Sequence, residues 1–443
     1  MEWNKLVSSI RIPTWDKDTN GNVVFAFESD YRRIVKSSSF RRLQDKTQVF
    51  PLDRNDFVRT RLTHSLEVAM ISRDILNEVI REMQKRSMSV DELKDYHRLL
   101  ECAALIHDIG NPPFGHFGES AIRIWFENNM NNYNEMNSLN EQQRYDYLEF
   151  EGNAQTIRVL TKLHDYNGSS TVGMRLTASV LDSVIKYTAA SNKLDKNEDK
   201  KKRVLTHKKV GYFYSENEVF ASIKETTGTQ GKRHPMVYLL EASDDISYTF
   251  SDLEDGYKFG MFSIADLKEY LKDCLIDEMF TGDKSEEEQM QDFIRKTQQQ
   301  TFKYVSQNFV DHYDEIMEGT FTTDLFSGDE NILILFSKLK DFCFKFIFED
   351  DVIIKQEIIG YNILNSLLDT FVPLSLKYPS SMNEYEKKLW GYIPKNALQR
   401  YEMETKGLSE EEKVYYKIKI AIDYICGMTD GFAKKVYEDL FRV

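Results

Sequence analysis

Twenty glycines and eight prolines in 443 residues leave long stretches with nothing to break a helix. This scarcity constrains the fold most, because a many-turned β protein needs turn residues at short intervals. Apolar spacing agrees. Leu62, Leu66, Ala69, Leu76 and Ile80 recur at helical intervals, with Arg73 interrupting the stripe. LLECAALIHDI (99–109) is apolar nearly all round, as in a helix enclosed on every side. Gly110 then suits a C-terminal cap, and the prolines that follow forbid continuation. RHPMVYLLEASDDISYTFSDLEDG (233–256) opens with Pro235, a good first-turn residue, and runs on as a helix. YKIKIAIDYICGMTDGFAKKVYEDLF (416–441) is also patterned as helix. Residues 32–61 predict short helix mixed with loop, and the Asn-rich stretch 128–143 predicts an exposed loop. Residues 193–203 and 281–290 predict solvated loops or helix ends. No internal repeat is visible. The expected fold class is all-α.

Net charge is −14, from 58 basic and 72 acidic residues, which argues against a chain that coats nucleic acid. Residues 1–61 run the other way, with twelve Lys/Arg against eight Asp/Glu, a local +4. A basic patch on an acidic protein predicts a focused anionic ligand, such as a phosphate group. Cys102, Cys274, Cys343 and Cys426 are far apart and sit in apolar contexts. They predict buried, reduced thiols in a cytoplasmic protein. The first residues carry no apolar signal core, and no apolar run approaches membrane-spanning length.

The densest chemistry lies in HDIGNPPFGHFGE (107–119). Histidine and carboxylate are ligand types for a borderline divalent metal. His107 and Asp108 are adjacent at the end of an apolar helix, where both can converge on one ion. An Asp buried there is costly unless paired or metal-bound. His64 follows Arg61 by three residues, so the two share a helical face. A metal ligand beside a guanidinium is what a metal-bound phosphate needs. His116 and Glu119 are likewise three apart, a spacing that suits a general acid/base His oriented by a carboxylate. Gly115 and Gly118 let the backbone approach a ligand there. Further on, Asp244, Tyr248 and Asp252 form one polar stripe on an otherwise apolar helix. Asp244 is placed to complete a His–His–Asp–Asp set.

His64, then His107-Asp108, then a distant Asp244 matches the HD-domain pattern of metal-dependent phosphohydrolases. Within that superfamily, FRRLQDKTQVFP (40–51), VRTRLTHSLEVA (58–69), HDIGNPPFGHFGE, FEGNAQTIRVL (150–160) and RHPMVYLLEASDDISY (233–248) resemble the deoxyguanosinetriphosphate triphosphohydrolases and their dNTPase relatives. The resemblance is strong over 2–256, weaker over 257–410, and resumes at GMTDGFAKKVYEDL (427–440). It implies an HD-type catalytic core over 1–256, with a C-terminal helical region, 257–443, packed on it. It implies His64, His107, Asp108 and Asp244 as ligands of a divalent metal, Mg²⁺ or Mn²⁺, although two histidines also suit other transition metals. Asp245 is the fallback for Asp244.

The resemblance also implies that Tyr248 packs on the deoxyribose and Asp252 bonds the 3′-hydroxyl. Gln48 and Val49 would line the sugar and exclude a 2′-hydroxyl, Arg61 would hold phosphate, and Asn153, Lys186, Tyr187 and Lys209 would line the nucleotide site. The implied reaction is attack of water at the α-phosphorus of a dNTP, releasing a deoxynucleoside and intact triphosphate. His116, positioned by Glu119, would protonate the departing oxygen or act in line with the attack. The family further implies a homo-oligomer, hexamer or tetramer, and in some members an activating dNTP at a second site.

Two rival readings remain from the residues. One is another HD phosphohydrolase, a nucleotidase or phosphodiesterase, which needs the metal set but not Gln48, Arg61, Tyr248 and Asp252 together. The other is a non-catalytic nucleotide sensor or single-strand nucleic-acid binder on the same fold. GTQGKRH (228–234) lacks Walker A spacing.

Overall fold

The computed structural model describes residues 1–14, 21–49, 59–164, 172–194, 204–274, 280, 284–328 and 330–441. Helices dominate these residues, in agreement with the all-α expectation. The longest ones are local consequences of sequence. Helix α1 (Arg61–Lys85) starts at a capping box in which Thr60 and Thr63 satisfy each other's backbone amides. Helix α2 (Tyr96–Ile106) is the apolar segment before the histidine. Helix α3 (Gly115–Asn129) follows the glycine–proline loop. Helix α4 (Gly152–Arg158) is short and buried. Helix α5 (Pro235–Lys258) begins with Pro235 at its first turn, with the His234 ring accepting from Met236 N.

Helix α1 is the centre, packed between α2, α5 and α6 (Glu286–Asp311). Its buried side chains are Val68, Ile71, Ile75, Leu76, Val79 and Met83. The expected stripe is therefore displaced: Leu66 is on the outer face, 52% exposed. A second apolar cluster gathers α3, α7 (Asp351–Leu376), α8 (Glu410–Cys426) and α9 (Asp430–Phe441). Each of the two clusters draws residues from both sides of position 256.

Among the described residues the strands form one parallel ladder, β1 (Ala189–Ala190) with β2 (Val210–Tyr212), besides isolated bridges. A β-carbon at Gly211 would lie 2.0 Å from Tyr187 O, so the ladder closes only on glycine.

Several local expectations are corrected. The Asn-rich stretch is not a loop: 3₁₀ turns at Met130–Asn132 and Asn134–Ser138 lead into a helix at Glu141–Leu148. Met130, Met136 and Leu139 anchor it in the second cluster. Residues 281–290 do contain a helix end, as expected, capped at Ser285; 281–283 and 195–203 lie outside the described residues. Cys102, Cys343 and Cys426 are buried free thiols, but Cys274 is half-buried.

Gly110 is not a left-handed cap. Helix α2 ends earlier, at Ile106, and Gly110 N donates to Thr156 Oγ1 at 3.1 Å. A β-carbon at position 110 would lie 2.1 Å from Thr156 N and 2.5 Å from Gly152 O. The residue is glycine because α4 presses on the loop. Gly118 has a similar reason, since its β-carbon would lie 2.1 Å from Pro113 O. Gly115 does adopt a left-handed φ of +57°, and its missing β-carbon leaves room for the Arg61 guanidinium at 2.5 Å. These glycines accommodate protein groups rather than a ligand.

Gly110→Ala is expected to lower unfolding free energy by roughly 1–3 kcal/mol, the usual cost of overpacking. Urea titration followed by circular dichroism reads this, and an unchanged midpoint would show that α4 yields freely.

Candidate active site

Four elements deliver the chemistry. Helix α1 brings Arg61 and His64, the loop after α2 brings His107 and Asp108, and the start of α3 brings His116 and Glu119. Helix α5 brings Asp244, Tyr248 and Asp252.

His64, His107 and Asp108 each offer a ligand atom, all within 4.8 Å of one another. His64 Nε2 is 3.1 Å and His107 Nε2 is 3.4 Å from Asp244 Oδ1. His107 Nε2 is also 3.6 Å from Asp108 Oδ1. Asp245 points elsewhere and pairs with Lys340 Nζ at 2.8 Å. Asp244, not its fallback, therefore reaches the histidines.

The tautomer of His107 is set by its surroundings. Nδ1 faces Ala104 O at 2.7 Å and must donate to it. That leaves Nε2 as a lone pair. It is buried, with no hydrogen-bond partner, and it faces two carboxylates. A lone pair among carboxylate oxygens is repulsive unless a proton or a cation lies between them. Burial pulls the His107 pKa down, but Asp108 and Asp244 outweigh it and raise it. Burial pushes Asp108 up, yet His107 and Arg61 hold it below the usual carboxylate range. Asp244 is likewise held low against burial by Lys186 and His107. Two imidazoles and two ionised carboxylates around one point suit a divalent cation.

Arg61 pairs with Asp108, and Asn111 Nδ2 donates to Asp108 Oδ1 at 2.8 Å. Lys186 Nζ lies 2.8 Å from Asp244 Oδ2. Asn153 Nδ2 and Lys209 Nζ both bind Glu151 Oε1, at 2.8 and 3.0 Å. Burial lowers the Lys209 pKa, but Glu151 and Glu119 outweigh it, so the amine stays charged. His116 is largely exposed, with Nδ1 3.0 Å from Glu119 Oε2. The other oxygen of Glu119 accepts from Gly152 N at 2.8 Å. Burial pushes Glu119 up, but the His116 hydrogen bond and charge, with Lys209, pull it down to about 2. This carboxylate is fixed by backbone on one side and fixes the imidazole on the other, leaving His116 Nε2 unused.

These groups surround a cavity of 440 Å³. Gln48, Val49, Arg61, Asp108, His116, Asn153, Lys186, Tyr187, Lys209, Asp244, Tyr248 and Asp252 all line it. The buried His64 and His107 stand behind Asp108 and Asp244, and Glu119 stands behind His116. Asp252 is 3% exposed. Burial, then Asp255, raises its pKa above the usual carboxylate value against the pull of Arg59. The Tyr248 ring is covered by Lys340 Nζ at 5.2 Å.

A family model for the HD domain matches residues 61–176. The chain is 38% identical to a deoxyguanosinetriphosphate triphosphohydrolase-like protein of Listeria monocytogenes, over 99% of both chains. It is 30% identical to a deoxyguanosinetriphosphate triphosphohydrolase of Salmonella arizonae, over 96% of this chain and 95% of that one. This chain belongs to the deoxyguanosinetriphosphate triphosphohydrolase family of HD-domain proteins. A further family member, the like-protein of Synechocystis, is 33% identical over 99% of both chains.

The family motifs did not draw attention to every lining residue. Asn111, inside HDIGNPPFGHFGE, carries no functional signal in the sequence yet lines the cavity. Tyr238 and Glu241 lie about two turns and one turn before Asp244 on α5, so the polar stripe begins earlier than Asp244. Asp324, Leu325, Phe326 and Phe348 close the cavity from the C-terminal region, where no motif flagged them. Lys46 was missed too. It is buried, donates to Asn111 O and to Cys426 O at 3.0 Å, and is pushed down to about 8 by burial. Among the described residues no helix is long and apolar enough to cross a membrane.

His107→Ala is expected to lose bound divalent metal while Asp245→Asn retains it, as read by plasma mass spectrometry of the purified proteins. Equal metal content in the two would remove His107 from the cluster's function.

Proposed function

We propose that this chain is a metal-dependent dNTP triphosphohydrolase, with dGTP the first candidate substrate, releasing deoxynucleoside and intact triphosphate. The observation that carries the reading is the His107 lone pair buried among two carboxylates and His64, beside a cavity that Arg61, Lys186 and Lys209 also line. His64, His107, Asp108 and Asp244 would hold the ion, with Mg²⁺ or Mn²⁺ the first candidates. The ion, when bound, supplies Lewis-acid polarisation at the α-phosphate and makes the attacking water more acidic.

The chain's own residues do the rest. Arg61 forks onto phosphate oxygen once it exchanges its hold on Asp108. Lys186, Lys209, Asn153 and Tyr187 neutralise and orient a triphosphate carrying about −4 charge. Water oxygen bonds to the α-phosphorus, giving up a proton to solvent, as the bond from phosphorus to the 5′-oxygen breaks. His116 Nε2 gives its proton to that departing oxygen, and Glu119 stabilises the imidazolium through Nδ1. Asp252 hydrogen-bonds the 3′-hydroxyl, and Tyr248 supports the sugar. Val49 and Gln48 face C2′, where a ribose hydroxyl would be buried without a partner and penalised. Residues 1–256 serve as the catalytic core in this reading, with 257–443 packed on it and closing the cavity at Phe326 and Phe348.

Each dNTP, and GTP, would be incubated with the protein and Mg²⁺ or Mn²⁺, and the products separated by ion exchange beside His116→Ala. Deoxynucleoside with intact triphosphate is expected, falling roughly 100-fold or more in the variant. Release of monophosphate or pyrophosphate would contradict the reading and favour another HD phosphohydrolase.

A further inference from the structure

Asp430 is the first residue of α9, 2% exposed. An aspartate there ordinarily serves its own helix. Here the preceding Thr429 Oγ1 accepts from Phe432 N at 3.2 Å and does the capping. The carboxylate of Asp430 is turned outward and fully used elsewhere. Its Oδ2 accepts from Thr47 N at 3.0 Å and from Thr47 Oγ1 at 2.6 Å. Its Oδ1 accepts from Phe114 N at 2.9 Å.

The two segments it joins both reach the cavity, one through Gln48 and Val49 and the other through His116. Thr47 directly precedes Gln48 and Val49, and it bridges to Thr60, the cap of α1 just before Arg61. Phe114 is the residue before α3, in a left-handed conformation with φ 61°, two residues before His116. No backbone hydrogen bond joins residues 46–49 directly to residues 112–116. Lys46 Nζ makes one parallel tie, to Asn111 O. Burying a carboxylate against neutral donors costs free energy, so a residue with two equivalent acceptors is kept where two acceptors are needed.

We propose, resting on the hydrolase reading above, that Asp430 is a positioning residue that sets the Gln48–Val49 wall against His116 and thereby sets discrimination between deoxyribo- and ribonucleoside triphosphates. It touches no substrate. It acts through Thr47 and Phe114. An asparagine offers one acceptor oxygen, so its NH₂ faces either Thr47 N–H or Phe114 N–H, and one wall is released. Gln48 and Val49 can then retreat from C2′, and the penalty on a 2′-hydroxyl falls.

The test measures kcat and KM for dGTP and GTP in wild type, Asp430→Asn, Thr47→Val and Thr47→Ser, with circular dichroism and metal content for each. In Asp430→Asn the ratio of kcat/KM for dGTP over GTP should fall about tenfold or more, with unchanged metal content. Thr47→Val, which deletes only the hydroxyl donor, should fall the same way by a smaller factor, and Thr47→Ser should keep the wild-type ratio. A folded Asp430→Asn with the wild-type ratio overturns the proposal. If Asp430→Asn does not fold, Thr47→Val decides, and an unchanged ratio there overturns it equally. Lower activity on both nucleotides at a constant ratio also overturns it, because that is what general loosening does. Turnover by the wild type separates these results from failure of the hydrolase reading, which would show as no triphosphate released by any variant and would overturn both.

Discussion

Two carboxylates aimed at an imidazole lone pair are what the rest of this structure is organised around. Asp108 and Asp244 sit with His64 and His107 at the junction of α1, α2 and α5, where those helices form the main apolar core. Concentrating such groups in a low-dielectric interior costs several kcal/mol, of the order of that for any buried ion left unpaired. Arg61 and Lys186 offset part of it by pairing with the carboxylates. They do not reach His107 Nε2, which has no hydrogen-bond partner. A cation at that point satisfies all four groups at once, which is the physical ground for reading a metal centre here.

The surrounding chain keeps that arrangement stiff by close approach rather than by bulk. Gly110 lets α4 press on the loop that follows Asp108, and Thr156 Oγ1 ties the loop at Gly110 N and His107 O. Gly115 gives the Arg61 guanidinium its space. Lys46 and Asp430 extend the same bracing to the segment before α1, one through Asn111 O and the other through Thr47 and Phe114. The last two helices therefore serve the catalytic segment directly. Asp423 of α8 pairs with Arg158 of α4, the helix that braces Gly110, and α9 carries Asp430.

Much of this is legible in the residues, for reasons that can be named. Helix content follows from the scarcity of breakers and from patterns such as LLECAALIHDI. The site residues stand out because His, Asp and Arg recur at helical intervals in stretches that would otherwise be apolar. What stays hidden is long-range and non-periodic. Leu66 reads as core because it fits the helical interval, yet it faces out, since which side of α1 is covered depends on α5 and α6. The Asn-rich stretch reads as a loop by composition, while three apolar residues, Met130, Met136 and Leu139, suffice to anchor it. Gly110 announces a special backbone, but only the position of α4 reveals that the reason is contact and not a left-handed turn. Asp430 lies in a motif that the family resemblance marks, with nothing in its local pattern to say that its partners are over 300 residues away.

The most direct test of the central claim is anomalous diffraction at the manganese edge from crystals grown with Mn²⁺ and an α,β-imido analogue of dGTP. The account predicts an anomalous peak coordinated by His64, His107, Asp108 and Asp244 and by an oxygen of the α-phosphate, with the sugar between Val49 and Tyr248. A peak away from those four side chains, or an ion there that contacts only the β- or γ-phosphate, would contradict it.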